Sequence, residues 1–183
     1  LNSDGSLDTT FGATGTSVNT LGGTVSYTEN AAPIALDTSV SIYDPDLGSL
    51  NGGVGNYAGA SVTLSRQGGT DSQDLFSARG NLVLDTSTGN AVLSGVTVGT
   101  FTNGSGSLSI TFNANATQAR VDQTLSNLAY ANSSDAPPAS VQINWAFSDG
   151  NTGAQGTGAA LTTSGTTTVN ITAVNDQIGR AHV

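Results

Sequence analysis

From Thr24 onward, apolar residues recur at every second position in short runs separated by Gly, Asn and Asp. That pattern belongs to strands that bury one face and wet the other. The clearest run is Ala139 to Ser148, where Val141, Ile143, Trp145 and Phe147 share one face and Gln142, Asn144 and Ala146 the other. Leu108, Ile110 and Phe112 repeat it, as do Val169, Ile171 and Ala173. The same reading predicts strands at Val25 to Glu29, Ser39 to Tyr43, Ala60 to Arg66, Asn81 to Leu84, Ala91 to Phe101, Ser107 to Asn113 and Thr167 to Val174. Between Asn115 and Leu128 the period changes. Val121, Leu125 and Leu128 stand at i, i+4 and i+7 and Asn115 offers a cap, so a short helix is predicted to cross between strands. Pro137-Pro138 excludes both helix and central strand and reads as the loop into the Trp145 strand. The expected fold is an all-β sandwich with one short helical crossover.

Composition agrees with this pattern. The chain has 183 residues, enough for one domain with a real core, and only 9% of them are charged, while Gly, Ser, Thr, Asn and Asp fill the turns. A formal net charge of −9 repels phosphates, and no basic patch with interleaved aromatics stands against it, which argues against nucleic acid as a partner. Without Cys there is neither a disulfide staple nor a thiolate ligand or nucleophile. No apolar run approaches the length of a membrane span, so insertion by this segment is not expected.

The thirteen acidic residues, twelve of them Asp, face four Arg and no Lys. They gather in turns as Glu29-Asn30, Asp44-Pro45-Asp46, Asp149-Gly150-Asn151 and Asn175-Asp176. Two carboxylates at 4 Å repel by about 4 kcal/mol at an effective dielectric of 20, so such clusters call for a cation, protonation or full hydration. Ca2+ suits them because it takes six to eight oxygens from carboxylates, Asn amides and main-chain carbonyls. The bland alternative is that Asp and Pro are ordinary turn residues. The other acids, Asp37, Asp71, Asp74, Asp85 and Asp122, are scattered and read as solvated turn or surface residues, with Arg66 and Arg79 making surface pairs.

The order of these features carries a resemblance. Tyr27-Thr28-Glu29-Asn30, Val40 to Asp46, Tyr130 to Pro138, Trp145 to Asn151 and Val169 to Asp176 together resemble the cadherin-like repeats of large bacterial surface adhesins of the RTX/VCBS type. The resemblance spans residues 24 to 176. It implies a Greek-key, cadherin/immunoglobulin-like sandwich of about seven strands, strung in tandem, with Ca2+ at the junctions. By the same resemblance Glu29, Asn175 and Asp176 would lie at the C-terminal pole and Asp44, Asp46 and Asp149 at the N-terminal pole, each pole half a site completed by an adjacent repeat. The family's Leu-Asp-Arg-Glu motif is absent, with Asp135 a loose stand-in, and the closing Asp-x-Asn-Asp-Asn is reduced to Asn175-Asp176. Fewer carboxylates imply weak sites, about 10⁻⁴ to 10⁻³ M. The expected location is extracellular or on the cell surface, where an array of such repeats would contribute to adhesion.

Two rival functions compete with this expectation. An acid pair could serve a glycosidase, yet with His182 set aside no His, Lys or Cys is left for other common mechanisms, so no enzyme is expected. A carbohydrate-binding module is the alternative, but Trp145, the single Trp, falls in phase with the core face. The domain reading places a linker or the end of a preceding repeat at 1–22, where Asn2 to Gly12 resembles a short repeat of large bacterial proteins, and the sandwich at 23–176. Residues 177–183 form an extraneous tail whose IGRAHV reads like a translated sequencing adapter.

Overall fold

The computed structural model describes residues 19–151 and 160–175. The short repeat-like stretch near the start, Asp176 and the tail therefore lie outside the described residues. Eleven strands and two helices follow one another as β1 (Gly22–Thr28), β2 (Ile34–Ala35), α1 (Pro45–Gly53), β3 (Ser61–Arg66), β4 (Asp74–Ala78), β5 (Leu82–Asp85), β6 (Asn90–Leu93), β7 (Val96–Gly104), β8 (Ser107–Phe112), α2 (Gln118–Ser126), β9 (Leu128–Asn132), β10 (Ser140–Ser148) and β11 (Thr162–Thr172).

They form two sheets around one core. The larger has eight strands in the order β1-β11-β10-β3-β8-β7-β6-β5, and the smaller has three, β2-β9-β4. All neighbours run antiparallel except β1, which lies parallel to β11 with Gly22 opposite Thr166 and Thr28 opposite Thr172. The chain is thus mostly β, as its alternation requires, with a large and a small sheet arranged as a sandwich. The β10 face predicted to be apolar is buried, and Trp145 is 0% exposed with its Nε1–H donated to Thr167 Oγ1 at 2.9 Å. Tyr57, Tyr130, Phe112 and Phe147 complete the aromatic part of the core by edge-on and tilted ring contacts.

Several expectations are corrected. Eleven strands stand where about seven were expected. The run Ala91 to Phe101 is two strands, broken where Ser94 (φ 49) and Gly95 (φ 80) turn the chain. Strands β2, β4 and β9, the whole of the smaller sheet, match none of the predicted strands. All five positions of β9 are buried, so the polar half of the alternation that announces a strand is missing there. The helix starts later than predicted, with Thr117 rather than Asn115 as its cap; the Thr117 hydroxyl accepts the Arg120 N–H at 3.4 Å. Helix α1 was not foreseen. Asp44 caps it and Pro45 opens it, and its regular part stops where Leu50, Asn51 and Gly52 leave helical angles.

The predicted strand Ser39 to Tyr43 is an extended segment served from both sides by unlike partners. On one side Ser41 exchanges main-chain bonds with Thr20, and the Tyr43 N–H reaches Asn19 Oδ1 at 2.7 Å. On the other, α2 replaces a neighbouring strand with a stripe of side chains at i, i+4 and i+8. The Val40 N–H donates to Ser126 Oγ at 3.1 Å, the Ile42 N–H to Asp122 Oδ1 at 2.8 Å, and Gln118 Nε2 to the Ile42 carbonyl. These bonds hold the segment that delivers Asp44.

Candidate cation-binding poles

Strands β1, β11 and β10 share two ends. Ser148 pairs with Thr162 at one, while Thr28 pairs with Thr172 at the other, so the ends are separated by the eleven residues of β11, about 35 Å at 3.3 Å per residue.

Glu29 lies at the second end. Its N–H donates to the Thr172 carbonyl at 2.9 Å, continuing the β1–β11 ladder one step past the strand. That step turns the side chain inward, leaving the residue 3% exposed. Carboxylate Oε2 accepts the Val174 N–H at 2.7 Å, whereas Oε1 is buried with no hydrogen-bond partner. No cation answers it, since the ion pairs among the described residues are those of Arg66 with Asp71 and Asp74. Leaving even a neutral buried acceptor unsatisfied costs about 1–3 kcal/mol, and a charged one more. Asn175 follows one residue after Val174 and is exposed, and Asp135 is exposed in the loop between β9 and β10. Asp176 lies outside the described residues.

Asp149 lies at the first end, buried, where its Oδ1 accepts the N–H groups of Asn151 at 3.0 Å and Leu161 at 2.9 Å and so closes the β10–β11 connection. The following Gly150 has φ +67, and a Cβ on it would stand 1.9 Å from the Gly59 carbonyl oxygen, so only glycine lets this loop meet the Tyr57 to Ala60 turn. Asp44 is buried nearby through the same turn: its N–H donates to the Tyr57 hydroxyl at 3.3 Å, and the Tyr57 ring packs against Phe147. Oδ1 of Asp44 accepts the Leu47 N–H at 2.8 Å as the α1 cap. Burial above all, and then the neighbouring acids, push the Tyr57 hydroxyl well above the usual tyrosine range, so it stays a neutral donor and acceptor. Asp46 is half-buried in the first turn of α1. The structure therefore places Asp44 and Asp149 on either side of one turn and Glu29 at the far end of the strands. Among the described residues, no three or more His, Cys, Asp or Glu side chains gather closely enough to hold a metal by themselves.

Three of the acids read as solvated are not. Asp37 is buried, with Oδ2 accepting the Gly22 N–H at 3.0 Å and Oδ1 accepting from Ser39. Asp74 is 2% exposed and gathers Arg66, Tyr130 and Asn132 around it. Asp122 is half-buried in the stripe that binds the Ile42 segment. Nothing local marks Asp74, whose partners lie 8, 56 and 58 residues away, but the Gln118, Asp122, Ser126 spacing was a visible polar stripe along a predicted helix.

Burial raises the Asp122 carboxyl above its ordinary value, against the lowering pull of the Ile42 N–H and Gln118. A raised value in the folded state means that the protonated form is favoured by folding. The stability it brings is complete below the unfolded carboxyl value and disappears as pH rises through the raised folded value. Wild type should therefore gain stability relative to Asp122→Asn as pH falls from neutral toward about 4. Urea unfolding of both proteins across that window checks this; a constant difference would refute it.

No protein-family model matches the chain, and no curated protein or solved structure does either.

Proposed function

We propose that this chain is a structural module of an extracellular bacterial adhesin, one of a row of repeats, which binds Ca2+ at its two poles and is stiffened where the ion bridges it to the next module. The observation that carries the reading is Glu29: a nearly inaccessible carboxylate with one oxygen bound to the main chain and the other bound to nothing, on a chain of net charge −9. A hard cation supplies what that oxygen lacks. Glu29 and the Asn175-Asp176 segment would hold the ion at one pole, and Asp44, Asp46 and Asp149 at the other. Because no pole gathers three acids among the described residues, the remaining oxygens would come from carbonyls and from the adjoining repeat.

The module's role is mechanical rather than catalytic. Asp44 and Asp149 each already commit an oxygen to main-chain N–H groups that shape their loops, so an ion there would tighten the loops that meet the neighbour. Adhesion would belong to the whole row. The carbohydrate-binding alternative gains no support from Trp145, which is sealed in the core. Among the described residues no helix is long and apolar enough to cross a membrane.

Two tandem copies of residues 1–176 should melt higher in calcium. At ten times a millimolar-range Kd the gain is about 1.4 kcal/mol, about 3–5 °C for a domain of this size. A single copy should respond less. Glu29→Gln should erase the rise without lowering the melting temperature in chelator, because it removes the unanswered charge. If the rise is absent, or survives Glu29→Gln, the proposal fails.

A further inference from the structure

Among the described residues, strand β5 ends the eight-stranded sheet and pairs only with β6. Two other sheet margins are guarded: β2 has only two residues, and on the free side of β4 the Phe76 carbonyl is taken by Asn103 Nδ2 at 2.8 Å. Strand β4 approaches β5 on its core side, but among the described residues no side chain takes the outward main-chain groups of β5. Its Val83 is 55% exposed, and the strand interior holds no Lys, Pro or bulge of the kind that protects an edge.

The orientation of the free groups follows from the β5–β6 ladder. The Ser94 N–H donates to the Asn81 carbonyl at 2.9 Å, which makes 81 and 94 a hydrogen-bonded pair, and alternation assigns the same to Val83 with Val92. Leu82 and Leu84 consequently aim their main-chain groups away from β6. The Leu82 N–H is occupied by the Arg79 carbonyl, leaving the Leu82 carbonyl and both Leu84 groups open among the described residues. On the core side, a groove of about 380 Å³ runs beside the strand, lined by Phe76, Ala78, Leu82, Leu84 and Phe101.

Charge decides what fits. The strand is preceded by Arg79, exposed and with no side-chain partner among the described residues, and closes on Asp85. Asp85 is held below the usual carboxylate range by Ser87 and Thr88 and so stays ionised. An edge positive at its start and negative at its end is complementary to its own antiparallel copy, which brings each Arg79 end to an Asp85 end.

We propose that β5 is a self-association edge that docks a second copy of this chain antiparallel to itself, on a two-fold axis at Val83. In that register Leu82 faces Leu84 of the copy. Each Leu84 N–H donates to the opposite Leu82 carbonyl, the two Val83 side chains meet, and the two apolar grooves become continuous. Four residues per copy form a contact at the small end of specific interfaces, so the isolated chain associates weakly and reversibly. Like net charges oppose it, so raising salt from low to physiological levels should first strengthen association as that repulsion is screened.

The chain has no Cys, which permits a direct test on the 183-residue chain. Val83→Cys puts one thiol on the axis, while Leu75→Cys, nearly as exposed at 47%, puts one on β4 in the other sheet. Under mild oxidation the Val83→Cys protein should form a disulfide dimer about tenfold faster or more than the Leu75→Cys protein, because pre-pairing raises the effective thiol concentration. Wild type should show concentration-dependent dimerisation in sedimentation velocity, lost in Val83→Lys with its circular dichroism unchanged. Equal cross-linking rates, or a wild type that stays monomeric at every concentration, would overturn the proposal; higher oligomers in place of dimers would show a partner surface other than this edge.

Discussion

Replacing Asp74 by Ala is expected to lower the stability of this module by up to about 3–5 kcal/mol, the cost of breaking a fully buried ion pair, for Asp74 is enclosed while Arg66 keeps 20% of its side chain exposed. Asp74 opens β4 in the small sheet, and Arg66 closes β3 in the large one. The guanidinium meets the carboxylate with two parallel bonds, Nε to Oδ2 at 2.7 Å and Nη2 to Oδ1 at 2.6 Å, which fixes the approach of the sheets at that corner. Oδ1 also accepts the Tyr130 hydroxyl at 2.6 Å and Asn132 Nδ2 at 3.1 Å. Four donor groups from three residues therefore lose their acceptor together. The hydrogen bond to Asp74 raises Arg66 above its usual value, and burial, then that same carboxylate, raises Tyr130, so in the wild type the guanidinium stays charged and the hydroxyl stays a neutral donor at neutral pH. Urea unfolding should show a lower midpoint at unchanged slope. The double variant Arg66→Met/Asp74→Ala should fall short of additive by about 0.5–3 kcal/mol, since the guanidinium left with only Asp71 in the single variant is then absent. Strict additivity would show that the cluster is not coupled.

Trp145→Ala should cost a similar amount, about 3–5 kcal/mol, because it empties the centre of the sandwich. The indole is fully enclosed on the middle of β10, flanked across the sheet by Leu64 of β3 and Gly165 of β11. Its N–H does not go unmet. Thr167, which alternation places on the same inner face, offers Oγ1 to the indole and donates to the Leu36 carbonyl at 3.2 Å. Thr167→Val preserves shape and removes the hydroxyl, leaving two buried groups unsatisfied at a cost of about 1–3 kcal/mol. Calorimetric melting of the two variants orders them: a Thr167→Val protein as stable as wild type would mean that the hydroxyl is not needed there.

How far the sequence could be read differed from strand to strand for a physical reason. Strands β3, β8 and β10 were legible because each has one solvated and one buried face, which writes itself as strict alternation. Only the second half of β11 was legible. Its first inward positions are Thr163, Gly165 and Thr167, and polar or side-chain-free residues on the core side hide the period. Strand β9 was illegible because both its faces are covered. Helix α2 was found from Val121 and Leu125, but its outer face carries bonds that only the folded chain reveals.

The candidate poles divide in the same way. Acidic turns at Glu29, Asp44, Asp46, Asp149 and Asn175-Asp176 are visible in the sequence because oxygen-rich residues cluster there. Which oxygens are already engaged is not visible. Asp149 reaches Leu161, twelve residues on, and Glu29 reaches Val174, 145 residues on, so the engaged oxygens of one and the orphaned oxygen of the other exist only after β1, β10 and β11 have aligned.

The sequence by itself determined that the chain would be built of short strands, because residue alternation is a local property written wherever a strand buries one face and wets the other. It also determined that a surplus of carboxylates would sit in turns, and that thiol chemistry was excluded. Only the tertiary structure decided that eight strands would face three, that Asp74 would be the ion-paired hinge between them, that Glu29 would be sealed with one oxygen unanswered, and that β5 would be left as the open edge. Each of these depends on strand order and on contacts across long stretches of chain, and a local pattern of polar and apolar residues contains neither.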